Sequence, residues 1–280
     1  MTDSHDLAVR YEGQGLPVLV IHGWEISGAV EAHDLEPIFD KLDGYRRVYV
    51  DLPGMGKTPA HGIKSLDDIF ERLSTFVEKH ILPSRFLVTG SSCGAYLARA
   101  IAYKYADSID GLLLRVPLVE PENSKRDLDS FTPAIKDEKL LASLGDAEVE
   151  KLGDIPVQTS EYVETFKHRL VDKVLPAVAK SDAAVLGSIR NDPTLYRLSV
   201  TMHSAEAPFL KPTLILTGRQ DSVVGYRDSW PLLKSYPRAS FVALDRADHG
   251  LPVDKHETDL FRALVTNWLR RVEEVRQLSP

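Results

Sequence analysis

Short apolar runs alternating with stretches of helical period set the rhythm of this 280-residue chain. Pro17-Val18-Leu19-Val20-Ile21 is continuous and rich in β-branched residues, the pattern of a strand covered on both faces. Runs of the same kind recur at residues 47–52, 86–89, 111–116, 212–218 and 240–244. Residues 7–12 alternate weakly, which predicts an edge strand. The intervening stretches read as helices. Residues 27–42 form one, with a break predicted at Pro37. Ser65-Leu66-Asp67-Asp68 is a capping box opening a second, whose Leu66, Ile69, Leu73, Phe76 and Val77 keep a 3.6-residue period. Further helices are predicted up to about Tyr105, around residues 226–233, and at 257–275.

Strand and helix alternate through both flanks, which predicts a mostly parallel, twisted sheet with helices on each face. Between residues 117 and 207 the texture changes. Charged, helix-favouring segments there are broken by Pro121, Pro133, Pro156, Pro176 and Pro193, and no buried-strand run appears. The expected organisation is an α/β core of residues 1–116 and 208–280 with a helical insertion at 117–207. In such sheets ligands meet the loops beyond the strands' carboxyl ends, so chemistry-bearing residues should lie just after a strand.

Composition narrows the partners. Hydrophobic residues at 43% allow a sizeable core, and a net charge of −7 disfavours binding to nucleic-acid phosphates or anionic membranes. The basic cluster Lys167-His168-Arg169 is too short to alter this and reads as a solvated helix face. Cys93 is the single cysteine, so no intrachain disulfide can form. The opening Met1-Thr2-Asp3-Ser4-His5-Asp6 has no signal-peptide pattern, and no apolar run approaches the roughly 18–20 residues of a membrane span. The expectation is a cytoplasmic protein acting on a small molecule, its oligomeric state open.

Gly90-Ser91-Ser92-Cys93-Gly94 matches G-x-S-x-G, and it lies between an apolar strand run and a stretch of helix formers, as that motif requires. So sharp a turn holds its middle residue in a strained conformation above the sheet edge, and the glycines let neighbouring backbone come close. Ser92 is therefore the candidate nucleophile. Ser91 sits one residue off the elbow, and Cys93 reads as a small pocket-wall residue. Asp221 follows the first strand after the insertion, and His249 follows the last strand. Ser…Asp…His is one of the known chain orders of a catalytic triad. An imidazole takes the serine proton, and the carboxylate fixes the imidazole tautomer. Acyl chemistry also needs donors for a developing oxyanion. The backbone N–H groups of Cys93 and of Trp24, on the loop after Ile21, are the candidates.

Other residues read structurally. His22 holds the oxyanion loop, and Asp51 and Gly56 serve a tight turn. Asp245 shares a loop with His249, which leaves it little room to orient that ring. His33, His61, His168 and His203 have no metal-ligand spacing. Gly54-Met55-Gly56-Lys57-Thr58 lacks the first glycine of a phosphate-binding loop.

Taken together, His22-Gly23, the Asp51-Leu52-Pro53-Gly54-Met55-Gly56 loop, the elbow, Gly218-x-x-Asp221 and His249 make the whole chain resemble the α/β-hydrolase fold family, specifically its small members with a helical cap. The resemblance implies a serine hydrolase working through an acyl-enzyme on an ester or lactone, with no cofactor or metal. Ser92 in place of the aspartate of epoxide hydrolases and haloalkane dehalogenases favours acyl chemistry. Carbon–carbon bond hydrolysis of the meta-cleavage type, a peroxidase-like activity and a non-catalytic binding relative are the alternatives. Two departures stand out. Cys93 replaces a commonly bulky residue, and Asp248 stands where glycine often precedes the histidine, so its carboxylate could perturb His249. Phe131, Tyr162, Phe166, Tyr196 and Met202 of the insertion could line a pocket or pack the insertion's own helices. Arg115, ending a strand at the catalytic edge, could bind a substrate carboxylate or pair with an acid of the cap.

Overall fold

The computed structural model describes residues 6–278; the polar stretch Met1-Thr2-Asp3-Ser4-His5, read above as free of a signal pattern, lies outside the described residues. Seven strands form one sheet: β1 (Val9–Gly13), β2 (Leu16–Ile21), β3 (Tyr45–Val50), β4 (Phe86–Ser91), β5 (Ile109–Arg115), β6 (Thr213–Gly218) and β7 (Ala239–Leu244). Their order is β1-β3-β2-β4-β5-β6-β7, with only the β1–β3 pair antiparallel. The continuous apolar runs occupy the interior: β4, β5 and β6 are buried throughout, whereas β1 is largely exposed at its edge.

Alternation along each strand divides the core. Leu19 and Ile21 of β2 face the side covered by α2 (Leu66–His80) and α3 (Cys93–Lys104). Val18 and Val20 face the side covered by α1 (Gly28–Phe39) and the terminal helix, which packs Phe261, Val265, Trp268 and Val272 there. The capping box of α2 forms as expected, with the Ser65 side chain accepting from the Asp68 N–H and the Asp68 carboxylate accepting from the Ser65 N–H. Pro37 does not break α1. It lies exposed in the last turn of a helix that runs on to Phe39, and its carbonyl accepts from Arg262. The helix expected near residues 226–233 is a 3-10 turn, Arg227–Lys234.

Between β5 and β6 come α4 (Glu138–Leu144), α5 (Asp146–Leu152), α6 (Ser160–Arg169), α7 (Leu175–Val178), α8 (Ala183–Arg190) and α9 (Pro193–Tyr196). A π-helical turn, Leu170–Val174, joins α6 to α7. Leu152, Ile155, Val157, Tyr162 and Val163 make a small core of their own with Val253. Leu186, Ile189 and Tyr196 of α8 and α9 pack instead into the main core.

The terminal helix, α10 (Lys255–Leu278), begins on a buried acid. Glu257 is 2% exposed, one of its carboxylate oxygens accepts from Val253 N–H at 2.8 Å, and the other has no partner among the described residues. Burial, together with the neighbouring Asp254 and Asp248, pushes its carboxyl up to about 8. The folded state then holds this proton more tightly than the unfolded chain does. The associated stability is present below the ordinary glutamate range and is lost as pH rises towards 8. Glu257→Gln should therefore unfold at a higher temperature than the wild type at pH 8.5, with the gap closing by pH 5. Thermal unfolding followed by circular dichroism at the two pH values checks this, and a gap independent of pH would refute it.

Candidate active site

Register brings the functional loops to one edge. Ile21 of β2 lies beside Gly90 of β4, Ser91 beside Arg115 of β5, Arg115 beside Leu216 of β6, and Gly218 beside Leu244 of β7. The loops after β2, β4, β5, β6 and β7 thus converge on a cavity of about 370 Å³.

Ser92 stands between β4 and α3 at φ 53°, ψ −121°. Its N–H donates to Arg115 O at 3.0 Å, and its carbonyl accepts from Ala95 and Leu118 N–H at 3.0 and 3.1 Å, so the elbow is fixed from both sides. A Cβ on Gly90 would come within 2.2 Å of Gly94 O, and one on Gly94 within 2.1 Å of Ile21 O. Neither position has room for a side chain. Glu25, Ser92 and Val116, the described non-glycine residues with positive φ, all line this cavity. Backbone strain of this kind, of order 1–3 kcal/mol per residue, clusters at functional sites.

His249 Nδ1 lies 2.9 Å from Asp221 Oδ2. The other Asp221 oxygen accepts from Val223 and Val224 N–H at 2.9 and 3.0 Å. Burial alone would raise this carboxyl, but the His249 contact and the two backbone donors outweigh it and hold it below the usual aspartate range. Asp245, the competitor for the orienting role, is exposed. The cavity is lined by Ser92 and His249 together with Gly23 and Trp24 of the loop after β2. His22 anchors that loop. Its Nε2 accepts from Leu52 N–H at 2.9 Å, which leaves Nδ1 to donate to Gly23 O at 2.7 Å. Burial holds its pKa below the ordinary histidine range, so the ring is a neutral strut. The Asp51 carboxylate accepts from Gly28 and Lys57 N–H and serves its turn as expected.

Cys93 is fully buried, and burial pushes its thiol up to about 12, against the Tyr196 hydroxyl. It is an unreactive thiol at neutral pH. Asp248 lines the cavity with its Oδ1 accepting from Gly250 N–H at 2.7 Å, and burial raises its carboxyl pKa.

The insertion's residues divide. Phe166 and Tyr196 line the cavity, and Tyr196 meets Trp24 edge-on with ring centroids 4.9 Å apart. Tyr162 packs in the insertion's own small core, Met202 packs against the main core, and Phe131 is half-exposed away from the cavity lining. Among aromatic residues of a helical region, sequence alone does not separate packing from lining.

Arg115 is paired, but not with an acid of the insertion. Its guanidinium donates to Glu31 at 2.6 Å and to Asp34 at 2.8 Å, both on α1, and to Leu251 O. Ser91 donates to the same Glu31. The insertion contributes a second cation instead. Arg169, at the end of α6, reaches Asp34 through Nε at 3.0 Å and through a terminal nitrogen at 2.7 Å. The basic cluster is therefore not wholly solvated. Lys167 and His168 are exposed, while the Arg169 side chain is only 16% exposed. Glu31, Asp34, Arg126 and Arg190 were not singled out by sequence reasoning, and Arg169 was read only as part of a solvated face. Glu31 and Asp34 did leave a trace, as two acids on the helix face that also carries Leu35 and Ile38.

A family model described as the alpha/beta hydrolase fold matches residues 17–255. A relative from Shewanella oneidensis, named pimeloyl-[acyl-carrier protein] methyl ester esterase, is 28% identical over 276 residues, covering 96% of this chain and 97% of its own. A relative of the same name from Aeromonas hydrophila is 27% identical over 253 residues, covering 87% and 92%. A solved alpha/beta superfamily hydrolase from Oenococcus oeni has a TM-score of 0.77 at 24% identity, over 96% of this chain and 97% of that one, a likeness of fold.

Proposed function

Since the chain belongs to the α/β-hydrolase fold family, we propose that it is a serine esterase cleaving a small carboxylic ester by way of an acyl-enzyme at Ser92. The observation that carries this reading is the buried Asp221–His249 pair, whose imidazole borders the same cavity as a serine at positive φ. In this mechanism Ser92 Oγ bonds to the ester carbonyl carbon while His249 Nε2 takes its proton. The N–H groups of Trp24 and Cys93 hold the resulting oxyanion. The intermediate collapses, the carbon–oxygen bond to the alcohol breaks, and His249 returns the proton to the departing alkoxide. Water repeats the sequence on the acyl-enzyme, giving the free acid and restoring Ser92. Asp221 orients the ring and stabilises the imidazolium.

The names of the relatives support a methyl or similarly small alkyl ester as the scissile group. The insertion, residues 117–207, serves as a cap supplying Phe166 and Tyr196 to the acyl site. A fluorophosphonate probe, which mimics the tetrahedral intermediate, should label the folded protein once, at Ser92, as read by peptide mass spectrometry. Failure of the folded protein to label, or labelling at another residue, would sink this reading.

A further inference from the structure

Four arginines border the catalytic cavity, and they fall into two kinds. Arg115 and Arg169 are balanced by Glu31 and Asp34. Arg126 and Arg190 form no ion pair among the described residues. Arg126 spends donors on the carbonyls of Glu120, Pro121 and Val223, at 2.9, 3.3 and 2.7 Å, which fixes the head group without neutralising it. Arg190, the last residue of α8, donates to the neutral Asn123 Oδ1 at 2.6 Å and lies over the Tyr196 ring at 4.5 Å. Both line the same cavity as Ser92. Burial and the charge of Arg190 together pull Arg126 below its ordinary range. Asp221, the acid behind His249, is already committed to that ring.

Two half-buried cations on one cavity repel one another and have given up part of their hydration. An arginine fixed by neutral acceptors keeps planar N–H pairs suited to a carboxylate or phosphate. We propose that Arg126 and Arg190 form an anion-binding wall of the catalytic cavity, so that the preferred ester carries a second, anionic oxygen group, a carboxylate or a phosphate, beyond the scissile bond. This rests on the esterase reading above and specifies its substrate. The apolar lining from Ile26, Leu118, Phe166 and Val224 fits the hydrocarbon joining the two groups.

Three ethyl esters with the anion varied at the far end of the acyl chain test it: ethyl hexanoate (neutral), monoethyl adipate (carboxylate) and ethyl 6-(phosphonooxy)hexanoate (phosphate). The wild type should favour at least one anionic ester over the neutral one by about tenfold or more in kcat/KM, and which one identifies the group. Arg190→Gln should cut that ratio by about tenfold, chiefly through KM, because a contact shared by ground and transition states is uniform binding. Arg190 is the cleaner position, since Arg126 also ties two loops together. An unchanged ratio, an equal fall for all three esters, or no anionic preference in the wild type would overturn the proposal. A binding measurement separates it from the esterase reading. Adipate or inorganic phosphate should raise the unfolding temperature of the wild type and do so far less in Arg190→Gln. Stabilisation without ester turnover would leave the anion wall standing and the esterase reading refuted. Turnover of ethyl hexanoate with neither preference nor stabilisation would do the reverse.

Discussion

Ser92→Ala should lower ester turnover by roughly 10⁴–10⁶-fold while leaving the fold intact, and Asp221→Asn by about 10⁴-fold. In the proposed mechanism the serine loss removes the attacking atom, so what remains is the activity of a bound water. The aspartate loss acts one step away. Asp221 accepts three hydrogen bonds, from His249, Val223 and Val224. An asparagine can keep the two backbone bonds through its carbonyl, yet its amide then faces His249 Nδ1 and favours the wrong tautomer. Cys93→Ala is the control. Its thiol is buried and protonated, and an alanine there still offers a backbone N–H, so much of the turnover should survive. Single-turnover assays on a chromogenic ester measure all three. A Cys93→Ala defect as deep as that of Ser92→Ala would overturn the assignment of the nucleophile.

The second large effect is on stability. Arg115→Leu should destabilise the protein by about 3–5 kcal/mol, because it leaves the buried Glu31 carboxylate without its direct counter-charge. Glu31 is 1% exposed and would keep only the Ser91 hydroxyl and the more distant Arg169 charge, whereas Asp34 would keep its direct pair with Arg169. Burial already raises the Glu31 carboxyl pKa against the opposing pull of Arg115, so the loss should be largest above the ordinary glutamate range and smaller in acid, where Glu31 takes up a proton. Adding Glu31→Leu should recover a substantial part of the loss, since an apolar replacement for a buried pair is often close to neutral. Urea unfolding of the single and double variants measures this. A cost below about 1 kcal/mol for Arg115→Leu would mean that the pair is not buried as described.

The strands and the elbow were legible in the sequence because their signals are local. A β-branched run such as Val18-Leu19-Val20-Ile21 announces its burial, and Gly90 and Gly94 mark where no Cβ fits. Asp221 and His249 were legible through topology, since residues after parallel strands must gather at one edge. The charged lattice behind Ser91 was not. Arg115 invited a partner, but nothing within its own strand pointed 81 residues back to Asp34. Arg169 sits beside two exposed residues with the same basic character, and only the direction of its side chain separates it from them. Tyr162 and Phe166 lie one helical turn apart on α6 and both pack in the insertion's core, yet only Phe166 also reaches the cavity. Pro37 shows the converse limit, a strong local signal of a break inside a helix that runs on to Phe39.

The chain position of the Arg115 ion pairs bears on how the protein is made. Glu31 and Asp34 leave the ribosome before Arg115 does, so both acids are already available when β5 is complete. The Arg115 bond to Leu251 O and the second cation, Arg169, come later. The open edge of β5 must wait longer, for β6 begins only at Thr213. At ordinary synthesis rates that gap of roughly 100 residues lasts about 5–20 s. For that interval five of the seven strands stand with the border of β5 unpaired, the Arg115 charge having its two acids already in the chain.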